Sequence, residues 1–197
     1  TPASERMATL LRLTGWLRGE DPTKSWLLKT PQHVLDLEPL LRVFPNARII
    51  FIHRDPAAVV GSSCSMAWNQ MSVQSDHVDR QWIGSEWLRK TRLKVDRMAQ
   101  ARERIPAGRR IDVHFDEMDH DWRGVMRRIY DFLDIDKGPA EPGMAAYMAR
   151  SDGRGTFRSH RYRLRSFGPN PDHVRGVFAD YMRDFAIRPT PGTSKIG

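Results

Sequence analysis

Three short clusters in this chain hold side chains suited to work on an anion. Lys29-Thr30-Pro31-Gln32-His33 follows the apolar run SWLLK, His53-Arg54-Asp55 closes RIIFIH, and Asp116-Glu117 follows IDVHF. A histidine such as His33 can take a proton from a hydroxyl, because its ordinary pKa lies near neutrality. A lysine such as Lys29 can neutralise charge on a transferring group. Taken alone, His33 reads more readily as a capping or surface histidine. Arg54 is followed at once by Asp55-Pro56, a strong helix start whose backbone N–H groups and dipole attract anions. Ser62 lies seven residues after Asp55, about two helical turns, and so falls on the face of that helix start. Two readings stay open here. Arg54 and Ser62 close on one phosphate, or Arg54 pairs with Asp55 or another carboxylate and Ser62 is a small packing residue.

The elements that must position these groups follow from periodicity. Apolar spacing predicts helices over 5–18, 34–44, 79–104 and 121–135, with further helices from Pro56, near 141–150 and from Pro171 to Phe185. Strands are expected at 25–29, 48–53 and 111–115, and a basic irregular loop over 151–169. The β-branched and aromatic run 48–53 suits a parallel strand buried on both faces. Strands alternating with helices indicate an α/β fold, a parallel sheet flanked by helices. In such sheets ligands bind beyond the carboxyl ends of the strands, where all three clusters sit. Residues 1–197 are read as a single domain. Trp82 and Trp87 read as core or lid packing, and His77, His120 and His173 as surface residues.

Composition narrows the classes. With 197 residues, 40% hydrophobic and 28% charged, the chain is globular. It has no apolar run of the roughly 20 residues that a membrane span needs, and its start has no secretory pattern. The one cysteine, Cys64, excludes an internal disulfide or a multi-cysteine zinc site and points to a reducing cytoplasm. It is read as a packed small hydrophobe. No metal-ligand cluster is visible, so no metal is expected. A net charge of +8, with arginine well ahead of lysine, suggests an anionic partner: nucleic acid, nucleotide, acidic lipid or sulfated ligand.

The stretch LLKTPQHVLDLEPLLRVFPNARIIFIHRDPAAVVGSS resembles the core of the 3′-phosphoadenosine-5′-phosphosulfate (PAPS)-dependent sulfotransferases, especially their bacterial branch. The resemblance implies the sulfotransferase variant of the P-loop nucleotide-kinase-like fold, with PAPS as co-substrate. It assigns the 3′-phosphate to Arg54 and Ser62, the general base to His33 and a neighbouring role to Lys29. IDVHFDEM resembles the family strand whose closing aromatic lies near adenine, which places Phe115 there; the usual tyrosine hydroxyl is absent. The segments FRSHRYRLRSFG and VRGVFADYMRDF resemble the family's closing basic loop and last helix, nominating His160 and Arg161 for the nucleotide. The resemblance covers roughly 24–185 and loosens after its first block.

One departure bears on activity. Nothing in residues 1–24 resembles the family's strand and Gly-Thr/Ser-Thr loop that cradle the 5′-phosphosulfate. The chain is therefore expected to be the C-terminal part of a sulfotransferase domain, holding the 3′-phosphate side of the nucleotide and not the sulfuryl side. The acceptor stays open among small-molecule, carbohydrate, lipid and peptide hydroxyls or amines. A basic nucleic-acid-associated module is the alternative, resting on the charge and on basic-aromatic mixing in RGTFRSHRYRLRS. It is disfavoured because the charge is spread along the whole chain. A nucleotide-kinase-like relative lacks its Walker lysine loop. A homodimer through helix 79–104 is open, although burial of that face within the monomer is favoured.

Overall fold

The computed structural model describes residues 2–154 and 164–190. The chain partitions into two compact units, Thr1–Ile49 with Leu93–Arg109, and Ile50–Arg92 with Arg110–Gly197.

In the first unit, helix α1 (Pro2–Leu17) packs against α2 (Leu37–Val43). The apolar side expected of α1 is largely open: Leu10, Leu13, Trp16 and Leu17 are all exposed. Among the described residues the buried apolar side chains of this unit are Leu37 and Leu40 of α2, with Met98, Ala101 and Ile105. Helix α2 starts later than the 34–44 pattern predicts because of Pro39. A proline is tolerated in the first helical turn but not in the interior, where its missing N–H and ring break the ladder. Residues 33–35 form a 3-10 turn instead. The expected strand at 25–29 is irregular chain, and Leu27 is 84% exposed. A strand is held by ladder hydrogen bonds to a neighbour, and among the described residues this segment has none.

The second unit contains the sheet. Strands β1 (Ile49–His53) and β2 (Arg110–His114) lie side by side and parallel. The Phe115 N–H donates to the His53 carbonyl at 2.8 Å just past their ends. Among the described residues the sheet has only these two strands. In β1, Phe51 and His53 are buried while Ile52 is 64% exposed. The expectation of a strand covered on both faces therefore fails at Ile52, since a strand is buried on both sides only when helices cover both.

Helix α3 (Pro56–Gln74) follows β1, then α4 (Arg80–Glu103). Ala57, Val60, Cys64 and Ala67 are buried along one face of α3 at helical spacing. That face meets the 3-10 turn Leu164–Phe167 and the later helix that begins at Pro171. Gly84 of α4 permits a close approach: a Cβ there would stand 1.8 Å from the Phe167 carbonyl oxygen. Trp82 is 53% exposed, so it is surface rather than core, and Trp87 is half-buried. Helix α5 (Glu117–Leu133) packs on β2, and α6 (Glu141–Arg154) follows.

The single helix expected over 171–185 is two, α7 (Pro171–Val177) and α8 (Ala179–Asp184). They break at Phe178, which is 2% exposed and leaves helical geometry at φ −109°, ψ 21°. Among the described residues no helix is long and apolar enough to cross a membrane.

Candidate anion-binding site

Side chains alternate faces along a strand, so β1 turns Phe51 and His53 inward and the chain then leaves the sheet through Arg54 and Asp55. Asp55 is 1% exposed. One carboxylate oxygen caps α3 by accepting the Ala57 N–H at 2.9 Å. The other accepts the Thr190 N–H and an Arg175 Nη2–H, each at 2.8 Å. The Arg175 Nε–H reaches the first oxygen at 3.4 Å, and the hydrogen bond to Asp55 leads the causes that raise the Arg175 pKa. Asp55 thus has its cation already, and it is Arg175. The reading in which Arg54 pairs with Asp55 is overturned.

Arg54 is left differently. Its guanidinium carbon lies 4.3 Å from the centroid of the Phe115 ring, a cation–π geometry. Its Nε is buried and has no hydrogen-bond partner among the described residues, and none of their carboxylates forms an ion pair with it. A buried polar atom without a partner is uncommon and costs roughly 1–3 kcal/mol. A cation fixed on an aromatic ring with donor capacity unspent is the chemistry of an anion site. The structure therefore brings Arg54 and Phe115 together. Ser62 is exposed on α3, so it is not a packing residue. Helical spacing keeps it on the side of the helix start.

Beneath Arg54 lies a polar trio that sequence reasoning missed. The His53 ring is 2% exposed, with Nδ1 3.0 Å from the Tyr181 hydroxyl and Nε2 2.9 Å from Asp112 Oδ1. Phe185 stacks on the imidazole at 4.3 Å between centroids. Burial pushes the Tyr181 pKa up to about 12. A histidine at an inward strand position was a visible hint of a buried polar contact, but its partner on α8 lies 128 residues away.

Lys29 and His33 belong to the first unit. Lys29 is exposed and His33 half-buried. His33 opens the 3-10 turn, its N–H donating to the Thr30 carbonyl at 3.3 Å and its carbonyl accepting from Asp36 N–H at 3.1 Å. Neither side chain has a polar partner among the described residues. His160 and Arg161 lie outside the described residues. Asp116 and Glu117 line an open cleft of about 400 Å³ with His114, His120 and Arg128, and Glu117 pairs with Arg128. Cys64 is buried, its thiol pushed up to about 11 by desolvation. Among the described residues no group of histidine, cysteine and carboxylate side chains is arranged to hold a metal.

Comparison with known proteins adds a family. The model described as Sulfotransferase family matches residues 5–139. No curated protein matches the chain. Among solved structures it is similar to sulfotransferase STF9 from Mycobacterium avium, with a TM-score of 0.71 and 33% identity, covering 83% of this chain and 42% of that one. Sulfotransferase STF1 from Mycobacterium tuberculosis H37Rv shares the fold, with a TM-score of 0.61 and 23% identity, covering 80% of this chain and 40% of that one. The chain spans about two-fifths of the length of these solved relatives.

Proposed function

The chain belongs to the sulfotransferase family, and on that footing we propose that it forms part of an enzyme moving a sulfuryl group from PAPS to an acceptor hydroxyl or amine. The observation that carries this reading is the state of Arg54: a guanidinium held on Phe115, with a buried Nε lacking a partner, while its neighbour Asp55 is taken by Arg175. A 3′-phosphate supplies the acceptor oxygens that this arrangement wants. Ser62 adds a hydroxyl from the same helix face, and Phe115 offers ring surface beside the adenine. His160 and Arg161 are proposed to stand near the nucleotide as well.

The nucleotide, when bound, provides the activated sulfuryl group. His33 takes the proton from the acceptor hydroxyl or amine, and Lys29 sets positive charge where negative charge develops. Positioning and electrostatics suffice for such a transfer, as in phosphoryl transfer, so no metal is assigned. The acceptor is proposed to be a small molecule, carbohydrate or lipid, and the compartment the cytoplasm. In this reading the chain is the C-terminal part of a sulfotransferase domain whose phosphosulfate loop lies in another segment.

The test is a calorimetric titration of adenosine 3′,5′-bisphosphate into the chain and into Arg54→Ala. Two charge-assisted hydrogen bonds at roughly 1.5 kcal/mol each correspond to about a hundredfold weaker binding. Undiminished affinity in the variant would remove the phosphate from Arg54.

A further inference from the structure

Asp55 puts a buried carboxylate on the residue next to Arg54, where an anion is proposed to bind. We propose that Arg175 is a positioning residue that acts through Asp55: it cancels the carboxylate charge, so that Asp55 can hold the strand-to-helix corner without repelling a phosphate at Arg54. This deepens the reading of Arg54 as the phosphate residue and rests on it.

The corner needs a carboxylate for its geometry. Oδ1 accepts the Ala57 N–H at 2.9 Å and caps α3, while Oδ2 accepts the Thr190 N–H at 2.8 Å and ties down the chain beyond α8. An aspartate offers an acceptor oxygen in both directions. An asparagine has one oxygen, and its amide nitrogen would face a donor on the other side. The charge that comes with this geometry is shielded from water, since Asp55 is 1% exposed. Consecutive Cα atoms are about 3.8 Å apart, and the Coulomb energy falls only as the inverse of distance. Left bare, Asp55 would weaken the hold of the Arg54 cation on an anion.

Arg175 meets the carboxylate on both oxygens, Nη2–H to Oδ2 at 2.8 Å and Nε–H to Oδ1 at 3.4 Å. A guanidinium is not deprotonated in proteins, so the pair is neutral as a unit. Arg175 also meets Asp172 at 3.3 Å, but that carboxylate is 80% exposed, and an ion pair in water contributes little. The guanidinium is delivered from a fixed element. Its helix, α7, is capped by Asn170, which accepts the His173 N–H at 2.7 Å, and packs on α3.

Four variants separate charge from stability, each titrated with adenosine 3′,5′-bisphosphate by calorimetry and unfolded in denaturant. Arg175→Gln removes the cancelling cation: stability is expected to fall, and affinity to fall about tenfold. Asp55→Asn removes the carboxylate: stability falls, while affinity stays at the wild-type value or rises. Combining the two should bring affinity back to within about twofold of wild type, although stability remains below it. Arg175→Lys keeps the charge and loses the two-point contact, and should bind within about threefold of wild type. Affinity then follows the charge of the pair and not the stability of the fold. Wild-type affinity in Arg175→Gln would overturn the proposal. So would a double variant or an Arg175→Lys protein that binds as weakly as Arg175→Gln. A loss of affinity in Asp55→Asn would overturn it as well, a result that needs no Arg175 variant to fold. Arg54→Ala is the control: normal binding by that variant would fail the phosphate reading and this proposal with it. Weakened binding there, together with any of the overturning results, would fail this proposal alone.

Discussion

Asp55 and His53, on either side of Arg54, are 1% and 2% exposed, and each is held by hydrogen bonds from distant parts of the chain. In the other unit, Lys29 is exposed and His33 half-buried, and their side chains have no polar partner among the described residues. The two segments carry similar densities of polar residues, but they are built to different standards. Around Arg54 the neighbouring polar groups are consumed internally, while the Arg54 Nε is buried without a partner among the described residues, the state that the proposed phosphate would meet. The Lys29–His33 turn is organised by its backbone, and the chemistry proposed for its side chains depends on what comes to them.

That contrast makes its strongest prediction at Asp55. Replacing Asp55 by Ala removes the buried ion pair of Arg175, whose guanidinium also meets the exposed Asp172, together with the α3 cap and the acceptor of the Thr190 N–H. A loss of about 3–5 kcal/mol in denaturant unfolding is expected. A loss below about 1 kcal/mol would erase the difference between the segments.

Next comes the alkaline limb of stability. Burial pushes the Tyr181 pKa up to about 12 from an ordinary 10, so the folded chain keeps this proton where the unfolded chain has released it. The associated stabilisation is whole below pH 10 and disappears as pH rises toward 12, about 2–3 kcal/mol across that window. Tyr181→Phe should lack this component. Equal alkaline slopes for the two proteins would show that the phenol is not buried as described.

A smaller effect is expected at Phe115. Phe115→Leu should weaken bisphosphate binding threefold to tenfold by removing a partly exposed cation–π contact worth about 1 kcal/mol, and Phe115→Tyr should restore it. Smallest is the effect of Lys29→Ala or His33→Ala on stability, within about 0.5 kcal/mol, whatever either substitution does to the proposed sulfuryl transfer. A destabilisation above 1 kcal/mol at either position would mean that this turn is anchored after all.

Much of the local architecture was legible before the fold was seen. β1, the Asp55 cap with Pro56 behind it, and the long helix after it all follow from nearest-neighbour stereochemistry and apolar spacing. The failures share a physical origin as well. SWLLK has the residue types of a strand, but a strand exists through its neighbour, and none is present among the described residues. Ile52 matches its β1 companions in apolar character, yet its exposure depends on which helices cover the sheet. The break at Phe178 separates two turns of equally plausible helix and is set by the burial of that ring.

The site divides along the same line. Phe115 was nominated only by the resemblance of IDVHFDEM, whereas Arg54 and Ser62 could be nominated from a short pattern, because the strand end and the helix start are encoded within a dozen residues. Whether Arg54 was free or neutralised by Asp55 could not, since adjacent opposite charges suit a local pair as well as two separate ones. The answer came from Arg175 and Thr190, 120 and 135 residues away from Asp55. Local propensity is a property of a few consecutive dihedrals and side chains. The partner of a buried charge is chosen by desolvation, which begins only when distant segments pack.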